Sequence, residues 1–246
     1  MKTIIKLLLL PAIISLFAVA CNDDDDDPDT MYISIATVEN PENKSTFFFK
    51  LDQSQGRMLT AETLLPNYRP KDGQRIVATY SLLSDKSSEG EYDYDVRLYR
   101  VYSILTKEIF EITPETQDSI GNDKIGINDI WISADYVNVE FMYRGFNKAH
   151  FINLVSDDSE VYDDGKIHLE FRHNANDDSP LQNKWGLASF DLAPFLEDGS
   201  GQLIFVIHTK EYDTDEKTYE LLYNSGSSSN EEKTFTWDEE NEGDIG

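Results

Sequence analysis

Three features of the 246-residue sequence predict an all-β protein in two domains, a small closed barrel followed by a sandwich. Apolar and polar residues alternate with period two along segments rich in Tyr, Val, Ile and Phe, which marks half-buried strands. Turn signals separate these segments at roughly 8–12-residue spacing, as in a β-sandwich. No run of about 11 residues or more holds a helical period. The composition, 39% hydrophobic and 28% charged, is enough for a packed core.

The chain opens with a leader. Lys2 and Lys6 form a short basic region, and Leu7 to Ala20 is a 14-residue apolar run. That is the length of a secretory signal core, short of the ~20 residues a spanning helix needs. It ends Ala18-Val19-Ala20-Cys21, and small residues ahead of the only Cys make the lipobox pattern of a bacterial lipoprotein, with Ala18 where Leu is commoner. Cys21 is therefore the expected lipidation site: its thiol takes a diacylglyceryl group, the peptide is cut before it, and the new amine is acylated. Each buried CH₂ of the acyl chains contributes about 0.8 kcal/mol, and more than one chain anchors stably. The plainer alternative is an ordinary secretory peptide with a chance Cys. Asp23, Asp24, Asp25, Asp26 and Asp27 follow. The run is either a solvated spacer or an address. It resembles the acidic lipoprotein export signal of Bacteroidetes, which directs lipoproteins to the outer face of the outer membrane.

Strands follow in order. Tyr32 to Val38 alternates, Thr46 to Leu51 is an aromatic run, and Ile76 to Leu83 is apolar and β-branched. Tyr92 to Thr106 is a long stretch with Tyr92, Tyr94, Val96 and Leu98 on one face. About five strands in this region suit a small barrel, which removes sheet edges. Asn40-Pro41 and Asp72-Gly73 mark turns. The polar stretch from Pro114 to Asp123 reads as the domain boundary. Beyond it come Ile130 to Ile132, Tyr136 to Arg144, Phe151 to Val155, Ile167 to Phe171, Lys184 to Leu192, Gln202 to Thr209 and Lys217 to Tyr223. Phe190 to Glu197 has room for one helical turn. The expected division is a leader at 1–20, a tether at 21–28, a barrel at 29–121, a sandwich at 122–224 and an acidic disordered tail at 225–246, where Thr234 to Trp237 is a candidate late edge strand.

The formal charge is −26, from 21 basic and 47 acidic residues. That excludes nucleic-acid binding by phosphate neutralisation. One Cys excludes an internal disulfide and a Cys-based zinc cage. Residues 123–222 carry 20 acids and 8 bases, a net of −12 that favours basic partners. Asp157, Asp158, Glu160, Asp163 and Asp164, and then Asp213, Asp215 and Glu216, are acidic loops. Oxygen ligands there suit Ca²⁺, but neither loop has the EF-hand spacing, and solvated loops are the preferred reading. His150, His168, His173 and His208 read as surface or capping residues. His168 and His173 differ by five and so face opposite sides of a strand, while His168, Glu170 and Arg172 share one face as an exposed charge network. Trp131 and Trp185 lie within strand patterns and read as core rather than as sugar-stacking platforms. No GxSxG, Walker or HExxH motif is present. No catalytic residue, metal or cofactor is expected.

A series of segments runs in order over most of the chain: Arg75-Ile76-Val77-Ala78-Thr79-Tyr80-Ser81, Tyr92-Asp93-Tyr94-Asp95-Val96, Ile104-Leu105-Thr106-Lys107 and Asp118-Ser119-Ile120-Gly121-Asn122-Asp123. It continues through Ile130-Trp131-Ile132, Tyr136 to Phe141, His150 to Leu154, Ile167 to Asn174, Ser189-Phe190-Asp191-Leu192 and Glu216-Lys217-Thr218-Tyr219. In these segments the chain resembles the NigD-like lipoproteins. The resemblance implies a lipidated Cys, an N-terminal OB-like barrel, a C-terminal β-sandwich and no catalytic residues. The family name comes from a gene beside a bacteriocin, which implies immunity by genetic neighbourhood. The expected role is a non-catalytic, surface-exposed lipoprotein that meets an extracellular, bacteriocin-like protein. Accessory glycan binding, or a structural or adhesion role at the outer membrane, is the alternative.

Overall fold

In the computed structural model the described residues are 30–84, 90–196 and 201–224. Cys21, Asp23 to Asp27, Thr234 to Trp237 and the rest of the tail, with the lipidation site, export signal and late edge strand expected there, lie outside them. The barrel consists of β1 (Tyr32–Glu39), β2 (Phe48–Leu51), β3 (Arg57–Thr63), β4 (Arg75–Leu82) and β5 (Tyr94–Ser103). It closes in the order β1-β2-β3-β5-β4, with β3 and β5 parallel. The alternating residues Ala36, Val38, Phe49, Ile76, Ala78, Tyr80, Val96 and Leu98 fill its interior. The expected turns sit where their residues allow. Gly73 takes φ 73°, where a side chain is strained, and Asp72 accepts the Asn40 backbone N–H at 2.7 Å.

The second domain begins earlier than the expected boundary. After β5 come β6 (Leu105–Glu108), β7 (Phe110–Glu111), α1 (Gln117–Ile120), β8 (Gly126–Ser133), β9 (Tyr136–Gly145), β10 (Phe151–Ser156), β11 (Ile167–Asn174), β12 (Gln182–Asp191), α2 (Ala193–Leu196), β13 (Gln202–Thr209) and β14 (Lys217–Asn224). One sheet has the order β14-β13-β11-β10-β7 and the other β6-β12-β9-β8. The expected single stretch from Tyr92 to Thr106 is thus cut at Ile104. Its end leaves the barrel, and β6 and β7 supply an edge strand to each sandwich sheet. Ala134 and Asp135, both at positive φ, form the two-residue loop between β8 and β9, the geometry that matches strand twist. Val137, Val139, Phe141 and Tyr143 of β9, with Phe190 of the neighbouring β12, face Leu154, Leu169, Phe171, Phe205 and Ile207 across one core.

The barrel and the sandwich each have their own core, and a third apolar cluster joins them. Strands β8, β9 and β12 alternate, so the faces opposite the core carry Trp131, Met142, Trp185 and Leu187. These pack on Ile35, Val77, Tyr102 and Ile104 of the barrel side. Strand β4 is consequently buried on both faces, which explains its unbroken apolar run. Beside this apolar patch lies a polar network. Arg75 donates to both Asp52 oxygens at 2.5 and 2.6 Å, and to Asn138 Oδ1 at 3.2 Å. Ser133 donates to Asp52 at 2.6 Å and Ser189 to Asn138 at 2.7 Å. The guanidinium lies over the Tyr136 ring at 4.4 Å.

Candidate functional site

Because the barrel covers the four-stranded sheet, the other sheet carries the face remote from it. Strand alternation puts His168, Glu170 and Arg172 of β11 and His208 of β13 on that face, with Glu170 opposite His208. Two connections run over it. Residues 112–124 pack Ile112 and Ile120 on Val155. Residues 157–166 bring the Tyr162 ring flat onto His168, with centroids 3.6 Å apart. Between them is a cleft of about 340 Å³ reached by Asn122, Glu160, Tyr162, Glu170, Arg172, His208, Lys210, Asp215 and Glu216. A second hollow, of about 460 Å³, lies on the other side of Tyr162 with Asp157, Asp158, Lys166 and Phe195. The two acidic loops, far apart in sequence, thus border neighbouring openings.

The polar groups in and around the two openings are organised. Arg172 pairs with Glu170 and Lys166 with Glu220. His168 Nδ1 meets His208 Nε2 at 2.9 Å, and His168 Nε2 meets both Asp164 oxygens at 3.2 Å. Tyr162 donates to Glu160 at 3.2 Å, and burial together with that carboxylate raises its phenol above the ordinary value. The Lys166 backbone N–H is the main cause holding Asp164 below the usual carboxylate range. The site is therefore acidic at its rim, aromatic at its divide and internally paired at its floor.

A second cluster lies inside the sandwich end. His150 Nδ1 meets His173 Nε2 at 2.8 Å, His150 Nε2 meets Asp178 Oδ2 at 3.3 Å, and His173 Nδ1 meets the Lys124 carbonyl at 3.1 Å. The rings stack, with centroids 5.0 Å apart. Burial, then the charge of His150, pushes His173 down to about 4. Burial also lowers His150, against the pull of Asp178. Backbone N–H groups, Phe146 first, hold Asp178 far below the carboxylate range.

Several sequence expectations need correction here. His150 and His173 are 0% and 2% exposed, so they are interior groups rather than surface ones. His168 and His173 do face opposite sides, as their spacing requires. The network of His168, Glu170 and Arg172 shares a face, but Arg172 is 8% exposed because the two connections cover it. All four histidines pair, each pair ending on an aspartate. Spacing alone carried no signal of this, since the partners meet across strands. Trp131 and Trp185 are core residues at 8% and 4% exposure and present no ring for stacking on sugars. Among the described residues no group of three or more His, Cys, Asp or Glu is placed to hold a metal, and no helix is long and apolar enough to cross a membrane. In the acidic loops Asp157 accepts from Ser159, and Asp215 pairs with Lys124 at 2.9 Å.

A five-stranded OB barrel joined to a two-sheet sandwich defines the class of protein. Residues 35–104 match the NigD-like N-terminal OB domain and residues 108–223 the NigD-like C-terminal beta sandwich domain, and the chain belongs to the NigD-like family. Among solved structures, a Bacteroides vulgatus protein of unknown function is 29% identical, with a TM-score of 0.71 over 84% of this chain and 96% of that one. A Parabacteroides distasonis protein with a provisional toxin-related name is also 29% identical, with a TM-score of 0.67 over 80% and 95%. A NigD-like immunity protein from Bacteroides caccae shares the fold at 16% identity, with a TM-score of 0.61 over 80% and 97%. Nothing among the curated proteins matches.

Proposed function

We propose that this protein is a non-catalytic binding lipoprotein, anchored through Cys21 on the outer face of the outer membrane, that captures a basic extracellular protein of the bacteriocin kind. The observation that carries this reading is the cleft on the face remote from the barrel, bordered by the acidic loops of a segment with net charge −12. A basic partner is steered to such a field over a Debye length of about 8–10 Å and held by complementary charge. The relative named as an immunity protein adds family support. Asp23 to Asp27 direct export, and lipidation keeps the domains at the surface where such a partner arrives.

The test uses residues 29–246 as soluble bait against basic proteins from the culture medium, together with a deletion strain challenged with that medium. Binding that weakens steeply with salt, is lost on Glu160→Lys with Glu216→Lys, and accompanies sensitisation of the deletion strain is expected. No basic partner and an unchanged killing curve overturn the reading. Salt-insensitive retention on polysaccharide, lost in Tyr162→Ala, transfers the assignment to glycan binding.

A further inference from the structure

The buried His150–His173–Asp178 chain has an unusual proton count. Its two ends, the Lys124 carbonyl and the Asp178 carboxylate, only accept hydrogen bonds. The contacts at 3.1, 2.8 and 3.3 Å therefore require three N–H groups between them. Two neutral imidazoles supply two. In that state His173 Nδ1 donates to Lys124, His150 Nδ1 donates to His173 Nε2, and His150 Nε2 is left facing Asp178, at the longest of the three distances. One added proton completes the chain, because His150 becomes a cation beside the carboxylate. A second added proton breaks it, since N–H then opposes N–H across 2.8 Å and one ring must leave.

Of the two rings, His173 is the one tied to a wall of the cleft. His173 holds the strap 121–124: its carbonyl accepts the Asp123 N–H at 2.7 Å and its ring holds the Lys124 carbonyl. Asp123 in turn accepts from the Ala175 N–H at 2.8 Å, and Lys124 pairs with Asp215 at 2.9 Å. Asn122 and Asp215 line the cleft. We propose that the His150–His173–Asp178 chain is a two-proton acid latch on this strap: it stays shut through the first proton and, on the second, releases the strap and loosens the Asn122–Asp215 wall. The release of a bound basic partner on acidification rests on the function proposed above, whereas the latch does not.

The groups facing the pair are few. Asp178 and, at longer range, Asp123 favour the charged rings; Lys184 opposes charge on His150; Tyr143 lies against both rings, with centroids 4.4 and 5.9 Å away. The value of about 4 for His173 places the second proton in the acid range. A ring that is free in solution titrates near 6.5, so an opened latch binds protons more tightly than a shut one. Opening is therefore suppressed at neutral pH and grows as pH falls, by about tenfold per pH unit for each proton taken up on opening.

Hydrogen exchange of the full lipidated chain in detergent, corrected for the intrinsic pH dependence of exchange, tests the latch directly. Protection of the Asp123 and Ala175 amides is expected to hold near neutral pH and to fall about tenfold per pH unit towards pH ~4. His150→Gln leaves one titrating ring and no N–H clash, so it should flatten that dependence. Imidazole ¹⁵N spectra of the unaltered protein provide a second measurement that needs no variant: they should pass through a state with three N–H groups on the two rings. Protection independent of pH in the unaltered protein, an unchanged dependence in His150→Gln, or rings that go from two to four N–H groups in one step overturn the latch. Opening with no loss of a bound basic partner leaves the latch standing and overturns its link to the cleft.

Discussion

Replacing Asp52 with alanine tests whether the two domains are one structural unit. Arg75 is 0% and Asp52 2% exposed, so the guanidinium has no water to replace the lost carboxylate. It already lacks a partner for Nε. Asp52→Ala removes two Arg75 contacts and the Ser133 contact in one step. Removing one partner of a buried ion pair costs about 3–5 kcal/mol, because a charge is left uncompensated. At roughly 2–4 °C per kcal/mol for a chain of this size, Tm should fall by about 6–20 °C. Trp131 and Trp185 sit in the same interface, so their fluorescence during urea unfolding reports on it. We expect the interface signal to separate from the unfolding of the sandwich, monitored by circular dichroism. Arg75→Met combined with Asp52→Leu should recover most of the loss, as replacing both charges of a buried pair is often neutral. A cost below about 1 kcal/mol for Asp52→Ala, or additive single effects in the Arg75/Asp52 cycle, would refute the argument.

Trp185→Ala should cost about 3–5 kcal/mol by emptying a packed site against Tyr102; a loss under 1 kcal/mol in urea unfolding would mean that the interface is loosely packed. Gly121→Ala should destabilise by about 1–3 kcal/mol, since its φ is 73° and a Cβ would sit 2.8 Å from the Asn174 Cβ; an unchanged urea midpoint would contradict the tight strap. His173 is lowered from 6.5 to about 4 in the folded state, so its contribution is complete above pH 6.5 and is lost as pH falls towards 4, by up to about 3 kcal/mol. Urea midpoints across that window should slope in the unaltered protein and slope less in His173→Gln; parallel curves would assign the slope to other groups. Cys21→Ala should abolish fatty-acid labelling and move the protein to the aqueous phase on detergent partitioning, and labelling that survives would refute the lipobox reading.

Much of the β architecture was legible because alternation is a local property. Val137, Val139, Phe141 and Tyr143 fall on one core face simply because the pleat has period two. Strand β3 escaped notice because Arg57 to Thr63 has only Met58 and Leu59 as large apolar residues, adjacent rather than alternating. The true domain boundary escaped because β5 and β6 read as one strand; only the pairing of Leu105–Glu108 with β12 reveals the change of domain. In the candidate site, the acidic loops were visible as composition, but their convergence on one cleft was not.

By itself, the sequence determined the all-β class, most strand positions, the acidic balance and the family resemblance, since each is written in neighbouring residues or in overall composition. Tertiary structure alone decided which residues meet. Arg75 reaches Asn138 across 63 positions and Ser133 reaches Asp52 across 81. His150 finds His173 only because β10 and β11 pair in a register that sets Ile152 opposite His173. Burial likewise depends on what packs against a strand: the barrel turns Trp131 and Trp185 into interface core, and the two connections over the remote face turn Arg172 into a covered partner of Glu170. Such contacts depend on strand order and register, which follow from the global minimisation of exposed apolar surface and unpaired backbone groups rather than from local pattern.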